Sequence, residues 1–334
     1  MYKRRGSILL GFRIFTCWLT LCAVVACRED DSEQGHTRVR LVLDYLPNPI
    51  HAGIYLAEDE GAFQEASLTV TITAPTSTTD TLRMVSSGRA DVGLVPLMDF
   101  FQAVENGQDF VLVMALVDRP LAAVMARETA GVRRPRDLEG KLVGLTGVPS
   151  DAMTLEAMVR ADGGDPERLR TVTIGFNAAQ NLVAGTVDAA FGFWSYEGVL
   201  AGRSVTLHTF LPTDYGIPPY PEIVAFARRE FAEKHPEALT AFRRTVVQGY
   251  SDALARPPDE ALAPLARVLE GENAAELVPF WEVLRPVVPG NEGFRGELRE
   301  SELQAYFEWV KAQGFLEAQQ SAKRLIFSLQ TAGA

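Results

Sequence analysis

Residues 88–96 read GRADVGLVP, and residues 185–194 read GTVDAAFGFW. Each begins with a glycine that stops a helical pattern, spends two residues, places an aspartate (Asp91, Asp188) and enters an apolar strand. The shared order indicates two small α/β units of similar build. Outward from the first, VRLVL (39–43) and LTVTIT (68–73) read as strands. Residues 50–60 read as a helix with Ile50, Ile54, Tyr55 and Ala57 on one face, and TLRMVSS as a helix closed by Gly88. Around the second, KLVGLT (141–146) and TVTIG (171–175) are strands. Ser150 is expected to cap the helix between them, and Asn177 a shorter helix ending at Gly185. Strands alternating with helices predict parallel sheets.

Two apolar segments, 110–126 and roughly 205–227, are too long for one ordinary strand each. Each is long enough to cross from one unit to the other. From about residue 229 the chain turns helical, with Pro257, Pro258 and Pro286 as breaks. The expected organisation is a lobe 1 of residues 38–116 plus 222–334 and a lobe 2 of residues 117–221.

The N-terminus stands apart from the fold. Lys3, Arg4 and Arg5 precede an apolar run and then small residues before Cys27. Residues 1–26 therefore read as a secretory signal peptide, and residues 27–37 as a polar tether. Val24-Val25-Ala26-Cys27 resembles the lipobox of bacterial lipoproteins. That resemblance implies cleavage before Cys27, lipidation there, and attachment to the extracytoplasmic face of a bacterial membrane through the lipid alone. The only cysteines are Cys17, Cys22 and Cys27, so the folded part has neither disulfide nor thiol chemistry. A net charge of −11 argues against a nucleic-acid partner, which requires a basic surface. The scattered histidines offer no metal site.

In open α/β sheets, ligands sit beyond the carboxyl ends of the strands. Loops 44–51, 74–80, 96–99, 146–151, 176–177 and 193–197 lie at such ends, and two facing lobes would gather them round one cleft. Here the residues carry a resemblance. LDYLPNPIHAGIYLAEDEGAF (43–63), GRADVGLV, FWSYEG (193–198) and YGIPPYPEIVAF (215–226) resemble the extracytoplasmic substrate-binding proteins of ABC importers. The resemblance is to the branch that captures thiamine-pyrimidine precursors such as formylaminopyrimidine or hydroxymethylpyrimidine. It implies the two-lobed α/β periplasmic-binding-protein fold of the second type. Each lobe is then a mostly parallel sheet flanked by helices, with two crossing strands as hinge. It implies a permease and its ATPase as partners, and no cofactor.

Fungal thiamine-pyrimidine synthases share that fold, so an enzyme is the alternative. The resemblance places Val95 where those enzymes carry a lysine for pyridoxal phosphate, and Asp99 where they carry a sacrificial histidine. A Schiff base needs an amine, which valine lacks. Their cysteine-rich iron cluster also has no counterpart in DYGIPPYPEIV. A riboflavin, alkanesulfonate or nitrate-like ligand is a third reading. Loops 44–51, 74–80 and 146–151 contain no arginine or lysine for an anion.

An aminopyrimidine is flat, with an alternating donor–acceptor edge, and calls for aromatic faces and a few fixed polar partners. Glu197 can accept from an exocyclic amino group, or it can merely open a surface helix. Trp194, Tyr196 and Tyr45 can stack on a ring or pack in the core. Trp194 and Tyr196, in strand alternation, cannot both flank Glu197 on its own side. Asn48 can meet ligand or shape its own turn. His51 can meet ligand or brace the loop, with bracing the better fit. Asp44 can accept a ligand donor or cap backbone amides. Ser77, Thr78 and Thr79, and Ser150 with Asp151 opposite, can bind an anion or cap helices. Asp118 can touch ligand or fix the hinge, and Tyr215 and Tyr220 flank the second crossing at the expected cleft wall.

Overall fold

The computed structural model describes residues 32–33, 35–269, 273–288, 294–317 and 322–326. The signal peptide, Cys27 and its lipobox lie outside the described residues. Strand pairing begins inside the stretch read as tether, where β1 (Ser32–Glu33) folds back on the start of β2 (His36–Val42).

Lobe 1 continues through α1 (Ala52–Asp59), α2 (Ala62–Glu65), β3 (Leu68–Thr73), α3 (Asp80–Ser86), β4 (Val92–Pro96), α4 (Leu97–Glu105) and β5 (Phe110–Val117). Lobe 2 comprises β6 (Ala122–Arg127), β7 (Leu142–Leu145), α5 (Pro149–Ala161), β8 (Arg170–Thr173), α6 (Ala178–Ala184), β9 (Ala189–Phe193), α7 (Val199–Gly202) and β10 (Leu207–Phe210). The chain returns to lobe 1 with β11 (Ile223–Arg228). It ends in α8 (Arg229–Lys234), α9 (Pro236–Ala255), α10 (Pro258–Val268), α11 (Ala274–Leu284) and α12 (Glu300–Ala312).

The two sheets repeat one plan. In lobe 1, β3, β2 and β4 form a parallel core, and β11 joins β4 antiparallel before pairing with β5. In lobe 2, β8, β7 and β9 form the parallel core, and β6 joins β9 antiparallel before pairing with β10. The antiparallel strand in each sheet is the one that arrives from the other lobe. Its direction follows from that entry, because a crossing chain meets the sheet at the ends facing the cleft. The long apolar segments resolve accordingly, 110–126 into β5 and β6, and 205–227 into β10 and β11.

The hinge is tied by a buried carboxylate. Glu222, just before β11, accepts from the backbone N–H of Leu121 at 2.8 Å and of Ala122 at 2.9 Å, so the second crossing grips the first. Burial pushes its carboxyl up to about 7. Tyr220 donates its hydroxyl to Glu222 at 3.3 Å and stacks on Tyr306 of α12 with ring centroids 4.2 Å apart.

The core divides three ways. One apolar cluster fills lobe 1 beneath α1 and α9–α11, where Phe63 stacks on Phe242 at 5.9 Å. A second runs through both lobes beside the hinge, from Phe100 and Phe226 to Leu155 and Phe191. A third, of small residues around Leu182 and Met125, belongs to lobe 2 alone. Among the described residues no helix is long and apolar enough to cross a membrane.

Candidate functional site

A narrow cavity of about 50 Å³, partly open to solvent, lies between the lobes. Lobe 1 lines it with Asp44, Tyr45, Thr78 and Pro96, and lobe 2 with Thr146, Val148, Asp151, Phe191, Gly192, Phe193 and Glu197. All of these stand at or just past the carboxyl ends of β2, β4, β7 and β9, or in the loop after β3, where an α/β sheet exposes its loops.

The Asp44 arm is built by the loop that follows β2. Asn48 caps a short helical turn, its side-chain oxygen accepting from the Ile50 N–H at 2.9 Å. The Nδ1 of His51 accepts from the Asn48 N–H at 3.2 Å, and its Nε2 lies 2.9 Å from Asp44 Oδ1. An imidazole whose Nδ1 accepts must carry its proton on Nε2, so His51 donates to Asp44. His51 is fully buried and Asn48 nearly so; both brace the loop and neither lines the cavity.

Tyr45 spans the cleft. Its hydroxyl donates to the Phe176 carbonyl at 3.1 Å, and its ring meets that of Phe176 edge-on at 4.3 Å. Burial, then the nearby Glu197 carboxylate, push its phenol far above the ordinary value. Glu197 is buried and accepts from the Phe193 N–H at 2.9 Å. Burial pushes its carboxyl up, with backbone N–H groups, its own and that of Phe193, opposing the shift. Asp151 accepts from both the N–H and the hydroxyl of Thr146 at 2.6 Å, and burial, aided by Asp99, pushes it up to about 7.

Of the expected ligand residues, Asp44, Tyr45, Thr78 and Glu197 line the cavity. Thr78 also donates its hydroxyl to the Thr146 carbonyl opposite, at 3.3 Å. The structure puts the others elsewhere. Ser77 accepts from Arg83 at 3.3 Å on the exposed rim, and Thr79 precedes α3 without a side-chain cap bond. Asp118 pairs with Arg299 at 3.2 Å beside the hinge. Tyr215 faces a surface pocket with Trp309, and Tyr220 is sealed in the core. Ser150 is not the helix cap: Val148 is, because Pro149 occupies the first helical position, and the Ser150 hydroxyl donates to Asp99 instead.

Trp194 and Tyr196 do not alternate along a strand, since Trp194–Gly198 is one π-helical turn. Trp194 donates its indole N–H to the Pro120 carbonyl at 3.3 Å and lines a separate groove on lobe 2. Tyr196 packs between Tyr45, at 6.1 Å, and Phe280, at 5.2 Å. The sequence reading missed Phe191 and Phe193 as walls. Their spacing of two at the end of β9 is the signal that points both to one face.

The result is an aromatic and apolar slot carrying three carboxyl groups (Asp44, Asp151, Glu197), with no lysine or arginine in its lining. Such a wall offers acceptors to N–H donors and no cation to an anion. Among the described residues, no group of three or more His, Cys, Asp or Glu side chains is placed to hold a metal ion.

The family model for NMT1/THI5-like proteins matches residues 48–261. The chain belongs to the NMT1/THI5-like family. The chain is 30% identical over 321 residues to the formylaminopyrimidine-binding protein of Halalkalibacterium halodurans, covering 92% of this chain and 95% of that one. It is 26% identical over 232 residues to the 4-amino-5-hydroxymethyl-2-methylpyrimidine phosphate synthase THI13 of Saccharomyces cerevisiae, covering 66% and 68%. Among solved structures, the alkanesulfonate-binding protein SsuA of Xanthomonas axonopodis pv. citri, bound to MOPS, superposes with a TM-score of 0.70 at 17% identity. That match covers 87% of this NMT1/THI5-like chain and 98% of SsuA, and it speaks to the fold alone.

Proposed function

We propose that this protein is the extracytoplasmic solute-binding component of an ABC importer, capturing an aminopyrimidine precursor of thiamine and passing it to a permease unchanged. The observation that carries the reading is the cavity wall, with three carboxyl groups among aromatic faces and no cation. A neutral heterocycle with exocyclic N–H groups satisfies such acceptors, and its ring lies against Tyr45, Phe191 or Phe193. The 30% identity to a formylaminopyrimidine-binding protein along nearly the whole of both chains supports the same ligand class. The structural likeness to a sulfonate binder does not extend to the ligand, because a sulfonate placed here would face carboxyl groups.

The mechanism is binding. A ligand that touches both lobes interacts better with the closed form than with the open one, and that difference shifts the population towards closure. The closed shape is what a permease reads. Export by residues 1–26 and lipidation of Cys27 would hold the protein at the outer face of a bacterial membrane, beside such a permease.

The synthase alternative is disfavoured by the same region. Val95 is buried, its neighbour Pro96 lines the cavity, and neither offers an amine to an aldehyde cofactor.

The test is calorimetry of the soluble chain beginning after Cys27 against formylaminopyrimidine, hydroxymethylpyrimidine, thiamine, riboflavin and an alkanesulfonate. We expect an aminopyrimidine to bind, the sulfonate not to, and no product on prolonged incubation. Glu197→Ala, removing a buried hydrogen-bond acceptor for an amino group, should weaken binding by about 10- to 100-fold. Sulfonate binding without aminopyrimidine binding, or turnover of the pyrimidine, sinks the proposal.

A further inference from the structure

Asp99 stands in the first turn of α4, in lobe 1, and only 2% of it is exposed. Its Oδ1 accepts from the Ser150 N–H at 3.2 Å and its Oδ2 from the Ser150 hydroxyl at 2.9 Å. Ser150 lies in the first turn of α5, in lobe 2. One carboxyl group is thus held between two helix N-termini that face each other across the cleft, where both macrodipoles favour a negative charge and burial outweighs them. The other cross-cleft bonds described above, Tyr45 to Phe176 and Thr78 to Thr146, are neutral hydroxyl–carbonyl contacts. The residue after Ser150 is Asp151, whose carboxyl lines the cavity.

We propose that Asp99 is a positioning residue for ligand capture: by accepting both Ser150 donors across the cleft it latches the closed form and sets Asp151 into the cavity wall. The proposal rests on the binding reading above and adds to it the contact through which closure and ligand are coupled. Asp99 does not itself line the cavity.

The latch makes closure proton-linked. The groups that face Asp99 are Ser150 and Asp151 from α5, Tyr220 and Glu222 from the second crossing, and Tyr306 from α12. None of these is a lysine, arginine or histidine. Burial pushes Asp99 up to about 6 and Asp151 up to about 7. An open cleft wets both and returns them towards the ordinary carboxylate range. The closed form therefore binds more protons than the open one. Closure gains as pH falls from 8 to 6 and is lost as pH rises through the closed-form values.

The experiment uses the chain beginning after Cys27, which has no other cysteine. Dye-labelled cysteines replace the exposed Glu65 in lobe 1 and Glu167 in lobe 2. Single-molecule energy transfer then reads the lobe separation without ligand, and calorimetry in buffers of different ionisation enthalpy reads proton uptake on binding formylaminopyrimidine. We expect Asp99→Ala to deplete the closed population severalfold and to weaken binding about tenfold. Asp99→Asn keeps one acceptor oxygen, so it should restore much of the closed population while flattening the pH dependence. A merely structural residue would show no such split. Should Asp99→Ala fail to fold, Ser150→Ala removes the hydroxyl half of the latch and carries the same expectation at smaller size. Lobe separations and proton uptake that are the same in the wild type and all three variants would overturn the latch. If no aminopyrimidine binds the wild type, the functional reading fails while the ligand-free separations still decide the latch.

Discussion

Asp91 and Asp188 occupy the same place in two lobes of the same plan. Asp91 accepts from the Arg40 N–H of β2 at 2.9 Å, and Asp188 from the Leu142 N–H of β7 at 2.9 Å. Each is approached by an arginine at the end of the strand that arrives from the other lobe, Arg228 at 3.9 Å and Arg127 at 3.8 Å. Those arginines also donate to the carbonyl just before the aspartate, Arg228 to Ala90 at 3.0 Å and Arg127 to Val187 at 3.0 Å. The turn is one device used twice. Its setting differs: the Asp91 side chain is 6% exposed and gains a second guanidinium from Arg40, whereas that of Asp188 is 33% exposed. Lobe 1 is thickened by α8–α12, while β8 of lobe 2 is exposed along its length. Yet lobe 2 supplies most of the cavity wall. The thick lobe carries the larger core and the thin lobe builds most of the cavity wall.

The largest expected effect tests that division in the cores. Phe242→Ala removes a fully buried ring stacked on Phe63 in lobe 1 and should cost about 3–5 kcal/mol in chemical denaturation. Leu182→Ala, in the small cluster of lobe 2, should cost about 2 kcal/mol, the low end for buried leucine, because a thin layer collapses into the space left. Equal losses would break the comparison.

The next effect is in the turns. Asp91→Ala strands two arginines around a buried position and should cost about 3 kcal/mol, at the lower end for a broken buried pair because Arg40 is 43% exposed. Asp188→Ala breaks a pair open to water and should cost about 1 kcal/mol. Urea midpoints of the two variants, at unchanged slope, measure the ratio.

How much of this was legible in the sequence follows from which interactions are local. The glycine–aspartate turns, strand 68–73, the stiff Asn48–His51 loop and Glu197 as a cleft residue are written in short stretches, because a backbone turn or a strand end needs particular residues next to one another. Depth was not written there. Tyr220 is buried by Tyr306, which packs onto it from the distant α12. Ser150 has the sequence setting of a cap, and its acceptor, Asp99, lies on a helix of the other lobe where no local pattern reveals it. The spacing of Trp194 and Tyr196 fits strand alternation, but the chain leaves β9 in a wide turn at Trp194. Only tertiary contact distinguishes such a turn from continued strand.

The smallest effect is the sharpest test of the two turns, because it should reverse the order of the others. Gly88 and Gly185 both adopt left-handed backbone, with φ of +75° and +72°. Alanine at either position should cost about 1 kcal/mol from backbone strain alone. Beyond that the sites differ. A methyl group on Gly88 would sit 3.6 Å from the nearest atom of Arg228, an ordinary contact, while one on Gly185 would sit 2.9 Å from Arg127 Nη1. The guanidinium is the far end of a flexible chain and can retreat, but retreat draws it away from Asp188. Gly185→Ala should therefore cost roughly 0.5 kcal/mol more than Gly88→Ala, the worth of a weakened surface ion pair. Combining it with Asp188→Ala should erase the excess, because the arginine then has no carboxylate to leave. If the excess persists in the double variant, the strain lies in the backbone, and the arginine is a bystander in lobe 2.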